Sequence, residues 1–326
     1  MGTVLRALYL AGLLLAGAHA GAQPGAAQEY PNHPVKIIVG FAPGSGTDIL
    51  ARIIAEELRV ALKQPFVVEN RPGANAQIAA ETVARAAPDG YTLLLTSNSS
   101  HSINPHVYRT LPYDPVADFT PIGRVCDFPL LLVVDPRLPI HTPAELVAYV
   151  RANPGKVSYA YPSRPGQVAG AALNALLHLD MNAVAYTSSP PAMQDVAAGR
   201  EAFVVTDFAS SRGLIRAGKL RPIAVTTAER TSLAPELPPL GPALGLDGFD
   251  LRAWTGLFGP ARMPKEISGR LSAELATILG RPELRDRLLA AGMEPTPLGS
   301  AAFGEFVKQQ LEVWGQKVKA AGIEPE

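Results

Sequence analysis

The residues best placed to do chemistry are Phe41-Ala-Pro-Gly-Ser-Gly-Thr-Asp48, which follow the apolar run Val35-Lys-Ile-Ile-Val39. Gly44 and Gly46 let backbone approach a ligand closely, and the helix expected to follow presents unpaired N–H groups that favour an anion. The spacing matches neither G-x-x-x-x-G-K-[ST] nor G-x-G-x-x-G, so no nucleotide phosphate is implied. A carboxylate suits the loop better, because Asp48 would repel a dianionic phosphate. Thr47 or Asp48 is expected to cap the helix. An ordinary tight strand-to-helix turn would also produce this pattern.

Further polar loops follow other apolar runs. Ser163-Arg-Pro-Gly-Gln167 comes after Val157-Ser-Tyr-Ala160, and Arg164 there is able to pair bidentately with a carboxylate or to stand solvated. Thr187 and Ser188 precede Pro190 at a helix start, where capping alone would account for them. Ser97 and Asn98 open a polar stretch, Ser97-Asn-Ser-Ser-His101, suited to lining a cleft. Asp207 ends another run, where it could receive a ligand amine or cap a turn.

Enzymatic signatures are missing. The chain has no G-x-S-x-G elbow, no S-x-x-K and no H-E-x-x-H, and its one cysteine, Cys126, reads as a buried small hydrophobe. His101 and His106 read as loop or surface histidines. Nothing in these residues supports catalysis, and no catalytic residue, metal or cofactor is expected.

The elements that must position these loops alternate strand and helix. Val35–Val39, Phe66–Val68 and Tyr91–Leu95 read as strands; Ile49–Leu62 and Gln77–Ala86 read as helices. Such nearly all-apolar strands with helix-length links predict a parallel sheet covered on both faces. Thr142-Pro-Ala-Glu145 predicts a helix from Pro143 to Arg151. Further strands are expected at Val157–Ala160, Ala183–Tyr186, Ala202–Val205 and Ile223–Thr226. Pro235–Pro242 reads as irregular surface, and the tail from Lys265 as helical, with Phe306, Leu311, Trp314 and Val318 on its apolar side.

Composition sets the class. The chain has 326 residues, 47% hydrophobic and 18% charged, with zero formal charge and no basic run. That is a folded protein, large enough for two α/β lobes, without a nucleic-acid surface. Arg6, the apolar stretch Ala7–Ala16 and Ala18-His-Ala20 read as a signal peptide over residues 1–20, so the mature protein is expected to be exported. With one cysteine it forms no intrachain disulfide.

Several segments, in order along the chain, resemble one family. They are Pro34-Val-Lys-Ile-Ile-Val-Gly-Phe-Ala-Pro-Gly-Ser-Gly-Thr-Asp48, Val68-Glu-Asn-Arg-Pro-Gly73, Ala87-Pro-Asp-Gly-Tyr91, Asn104-Pro-His-Val-Tyr108, Leu111-Pro-Tyr-Asp-Pro115, Asp118-Phe-Thr-Pro121, Gly218-Lys-Leu-Arg221 and Trp314 to Gly322. Together they resemble the Bug-type extracytoplasmic substrate-binding receptors of tripartite tricarboxylate transporters, which are TctC-like.

The resemblance implies a type II periplasmic-binding-protein fold, with residues 29–126 plus 252–326 in one lobe, 127–251 in the other, and a hinge. It implies a soluble periplasmic monomer that holds a small organic acid between its lobes and passes it to membrane permease subunits. A ligand-presenting partner of a membrane histidine kinase is the alternative. Carried onto this sequence, the first loop supplies Pro43, Gly44, Ser45, Gly46, Thr47 and Asp48. The opposite lobe supplies the loop after Tyr159-Ala160 and the segment Tyr186-Thr-Ser188. Here the chain departs from the family pattern. Ser163-Arg-Pro-Gly-Gln167 lacks the usual histidine, Thr187-Ser188 replaces lysine–glycine, and Asn75-Ala76 replaces a glycine pair. Arg164 is then expected to supply a direct cation.

Overall fold

The computed structural model describes residues 30–326; the signal-peptide reading of residues 1–20 lies outside them. Residues His33–Glu326 form one compact unit, which carries everything that follows.

Strand β1 (Val35–Val39) is flanked by β2 (Phe66–Asn70) and β3 (Thr92–Ser97), both parallel to it. Helix α1 (Gly46–Leu62) links β1 to β2, and α2 (Gln77–Ala84) links β2 to β3. α1 buries Leu50, Ile53, Ile54, Leu58 and Leu62, the helical spacing visible in the sequence. Its first helical residue is Gly46, earlier than expected, and its cap is Ser45 rather than Thr47 or Asp48: Ser45 Oγ accepts the Asp48 N–H at 3.3 Å. Serine one residue before the helix presents its hydroxyl to the third helical N–H, a reach that neither later residue has.

The sheet is mixed rather than parallel. β9 (Arg252–Pro260) inserts antiparallel between β3 and β4 (Phe119–Val134), giving the order β2-β1-β3-β9-β4 and then β7 (Phe203–Asp207), β5 (Val157–Tyr161) and β6 (Met181–Ala185) in a ten-stranded sheet. β4 changes partners along its length. Phe119–Pro129 pairs with β9, and β10 (Glu294–Gly299) also adds to this part. Leu130–Val134 pairs instead with β7 and β8 (Arg221–Val225). Beyond β7 lie β5 and β6, parallel to one another.

Each half of the sheet has its own core. One gathers Ile38, Val83, Leu94, Trp254, Phe258 and Phe303; the other gathers Leu131, Val133, Ala160, Met193, Val204 and Val225. Each large apolar side chain buried there contributes about 1.5–3 kcal/mol.

Helices α3 (Asn104–Val107), α4 (Pro143–Ala152), α5 (Arg164–Leu177), α6 (Ser189–Ala198), α7 (Phe208–Arg216) and α8 (Leu240–Leu244) follow in the chain. Thr142 and Glu145 form the expected reciprocal capping box on α4. Pro235–Pro242 is not all irregular surface: Pro239 bridges Val225, and Leu240 begins α8 fully buried. α9 (Lys265–Leu279) and α10 (Pro282–Ala290) precede β10, which interrupts the tail read as helical, and α11 (Ser300–Ala320) closes the chain. α11 buries Phe303, Val307, Trp314 and Val318, while Phe306 and Leu311 are only half-buried.

His101 and His106 are not surface residues. His101 is fully buried, stacked on Phe258 with ring centroids 4.1 Å apart, and burial pushes its imidazole down to about 3. His106 Nε2 lies 2.8 Å from the Leu311 carbonyl. Cys126 is buried as expected, and burial pushes its thiol well up.

Candidate anion-binding cavity

Four helices begin at one cavity. α1 brings Ser45, Gly46 and Thr47, α5 brings Ser163 and Pro165, α6 brings Ser189, and α7 brings its cap, Asp207. Phe41, Ser97, Phe128, Leu130, Pro162, Thr206 and Ala253 complete its lining. No Lys, Arg or His is among these residues; Asp207 is the sole ionisable group. The positive ends of the helices and the hydroxyls are therefore what can attract an anion.

The first loop is fixed by Asp48. Its carboxylate accepts the Gly44 N–H at 2.9 Å and Asn70 Nδ2–H at 2.8 Å, and it pairs with Arg52 at 2.9 Å. Asn70 also donates to the Phe41 carbonyl at 2.9 Å, stapling the loop to β2. Burial raises the Asp48 carboxyl, but the hydrogen bonds from Arg52, Gly44 and Asn70 outweigh it and hold the group below the usual range. Gly44 has φ +82°, which glycine adopts without strain, and this turn aims its N–H at Asp48. Asp48 is 2% exposed and does not line the cavity; it positions the loop rather than touching a ligand. Pro43 and Gly44 are exposed outside the lining as well.

On the opposite side, Ser163 lines the cavity and Arg164 turns away from it. Arg164 is 2% exposed, donating to Asn104 Oδ1 at 3.3 Å, Gln167 Oε1 at 2.6 Å and Glu326 Oε1 at 3.0 Å. Its guanidinium also lies 4.7 Å from the Tyr108 ring centroid. Against the expectation of a direct cation, Arg164 does not line the cavity, and its Nε, Nη1 and Nη2 each donate elsewhere. Gln167 serves Arg164 and lies outside the lining. Thr187 is exposed, and Ser188, though 1% exposed at the start of α6, also lies outside; its neighbour Ser189 reaches the cavity. Ser97 lines it, whereas Asn98 is fully buried behind, its Nδ2 donating to the Arg252 carbonyl at 3.4 Å.

Asp207 caps α7 by accepting the Ser210 N–H at 2.8 Å, and Ser189 Oγ donates to its other oxygen at 3.3 Å. It presses on the opposite loop: a β-carbon at Gly46 would lie 2.6 Å from Asp207 Oδ1. Burial raises its carboxyl, against the opposing bonds from Ser210 and Ser189.

Sequence reasoning missed the apolar lining and Thr206. Thr206 and Ser189 neighbour residues already singled out and were findable as strand-end and helix-start positions. Phe128, Leu130 and Ala253 were not, because strand pairing brings them to the cavity: Phe128 lies opposite Ala253 on β9, and Leu130 opposite Asp207 on β7.

An α/β fold in two halves, with helix N-termini converging on a cavity at their junction, defines a solute-binding protein of the periplasmic-binding-protein class. The chain belongs to the family described as the tripartite tricarboxylate transporter family receptor, which it matches over residues 50–323. It is 33% identical to Rpa4515 of R. palustris, solved with adipate, with TM-score 0.89 over 91% of this chain and 100% of that one. It is 32% identical to periplasmic binding protein BugD, with TM-score 0.85 over 91% and 100% of the two chains. It is 30% identical to MatC (Rpa3494) from Rhodopseudomonas palustris with bound malate, with TM-score 0.82 over 89% and 100%. As a member of a receptor family it is a binding protein and not an enzyme. Among the described residues no helix is long and apolar enough to cross a membrane.

Proposed function

We propose that the protein is a periplasmic receptor that captures a small carboxylate-bearing solute and delivers it to the membrane permease subunits of a tripartite tricarboxylate transporter. The observation that carries this reading is the convergence of helix N-termini on a cavity with no basic side chain. Backbone N–H groups and serine hydroxyls bind a carboxylate without a cation, and relatives of the same fold hold adipate and malate.

In this reading the lobes are the segment up to residue 126 with 252–326, and residues 127–251. β4 and β9 cross between them as the hinge, since β4 changes partners at Pro129–Leu130 where β9 begins. Ligand contacts to both lobes favour the closed state, and the receptor works as a monomer. Ser45, Gly46, Thr47, Ser97, Ser163, Ser189 and Asp207 contact the ligand, while Asp48 and Arg164 hold the frame around it.

The test is a thermal-shift screen of residues 21–326 against acetate, malate, adipate, citrate, amino acids and aromatic acids. A true ligand at a hundredfold excess over its Kd raises stability by about 2.7 kcal/mol and is recovered unchanged. Silence across every carboxylate contradicts the proposal.

A further inference from the structure

The cavity that suits an anion contains an acid of its own. Asp207 lies against Gly46, the first residue of α1, and beside Ser189, the first residue of α6. A ligand carboxylate seated on those helix starts is therefore a close neighbour of the Asp207 carboxyl.

No cation stands by to balance two negative charges. From α1 the nearest charged groups are Asp48 and Arg52, paired with each other. α5 offers Arg164, bonded to Asn104, Gln167 and Glu326. α6 offers Asp195, which pairs with Arg200 at the far end of that helix. β4 offers Asp127 paired with Arg124, and β9 offers Arg252 paired with Asp250. Arg212, on the helix that Asp207 caps, lines a separate groove with Leu131 and Ile215. None of these groups lines the cavity.

Two carboxylates sharing a site without a cation do not both ionise; one proton stays between them. We infer that the protein binds its carboxylate ligand together with one proton, held between the ligand and Asp207, so that Asp207 selects the acid in its singly protonated pairing. This rests on the carboxylate-receptor reading above. The balance is simple: one proton is taken from solvent on closure and returned on release, and no bond to carbon forms or breaks. Burial already pushes the Asp207 carboxyl upward before the ligand arrives.

The experiment is calorimetric titration of the mature protein with adipate, malate, acetate and citrate from about pH 6.5 to about pH 8.5. Adipate, malate and acetate are fully ionised in that range, and each titration is done in two buffers of different ionisation enthalpy. Expected for the acid that binds is Kd rising by up to about tenfold per pH unit, with net uptake approaching one proton per ligand. Asp207→Asn, which keeps a capping side chain, is expected to bind with a Kd that no longer changes with pH. A flat wild-type Kd with no buffer-dependent heat overturns the inference and leaves the receptor reading standing. An Asp207→Asn protein that keeps the wild-type slope also overturns it. Absence of binding to every acid at every pH overturns both, and is told apart by the missing heat. The wild-type slope and proton count need no variant, so a poorly folding Asp207→Asn does not blunt the test.

Discussion

The cavity has two unlike sides. On the α1 side the charged residue, Asp48, is bonded inward to Gly44, Arg52 and Asn70, and the ligand is left with backbone and the Ser45 and Thr47 side chains. On the side of α5, α6 and α7 the carboxyl of Asp207 faces the cavity, while the cation expected there, Arg164, is bonded to Asn104 and Glu326. In the proposed reading the first side is an anion cradle whose own charge, on Asp48, is paired with Arg52. The second carries hydroxyls and the Asp207 carboxyl, and in the proposed reading discrimination between acids belongs to it. Charge near a site matters only by where its partners turn it.

The sharpest way to break this comparison is at Gly46. An alanine β-carbon would meet Asp207 Oδ1 at 2.6 Å and Cγ at 2.8 Å, and Asp207 is held from behind by Ser210. Gly46→Ala should cost about a hundredfold in Kd, about 2.7 kcal/mol. Its thermal stability without ligand should fall by less than that, because opening of the two lobes in the proposed reading relieves the contact. Equal losses of affinity and stability would show that the contact serves folding rather than closure.

Asp48→Ala comes next. Losing the loop's hydrogen bonds should lower stability by about 2–3 kcal/mol in denaturant titration and weaken binding about tenfold. The pH sign can be worked out. The Asp48 carboxyl is held below its ordinary value, so its contribution is present above the unfolded pKa and is lost as pH falls through the folded one. Asp207 is raised, so stability falls as pH climbs from its unfolded to its folded pKa. Asp48→Asn should flatten the acid limb of a Tm–pH curve. An unchanged acid limb would remove Asp48 from its role as the loop's anchor.

Arg164→Ala sharpens the second side. Since Arg164 ties α5 to Asn104 and Glu326 and never reaches the cavity, affinity should fall about fivefold, about 1 kcal/mol. The loss should be the same for mono- and dicarboxylates. A loss confined to dicarboxylates, measured by the same calorimetry, would restore the direct-cation role. Ser189→Ala should have the smallest effect, about two- to threefold, since it removes one hydroxyl bonded to Asp207 at 3.3 Å.

Much of the fold was legible because its first half is built from local pattern. The run Val35–Val39, the glycine loop and the apolar stripe of α1 each announce themselves within a few residues. β4 and β9 did not. β4 is buried along most of its length, and its two prolines, Pro121 and Pro129, its bulges and its change of partner leave no period to read. β10, with Pro295 and Pro297 and mostly half-buried residues, was hidden for a similar reason.

The candidate site divides the same way. The sequence by itself determined the loop after β1, the helix start that follows it and the family resemblance, because these depend on residue type and short spacing. Tertiary structure alone decided that Asp48 and Arg164 are bonded away from the cavity while Asp207 stays in it. A side chain's role depends on which partners reach it first, and those partners, Asn70 for Asp48 and Asn104 and Glu326 for Arg164, arrive from distant parts of the chain.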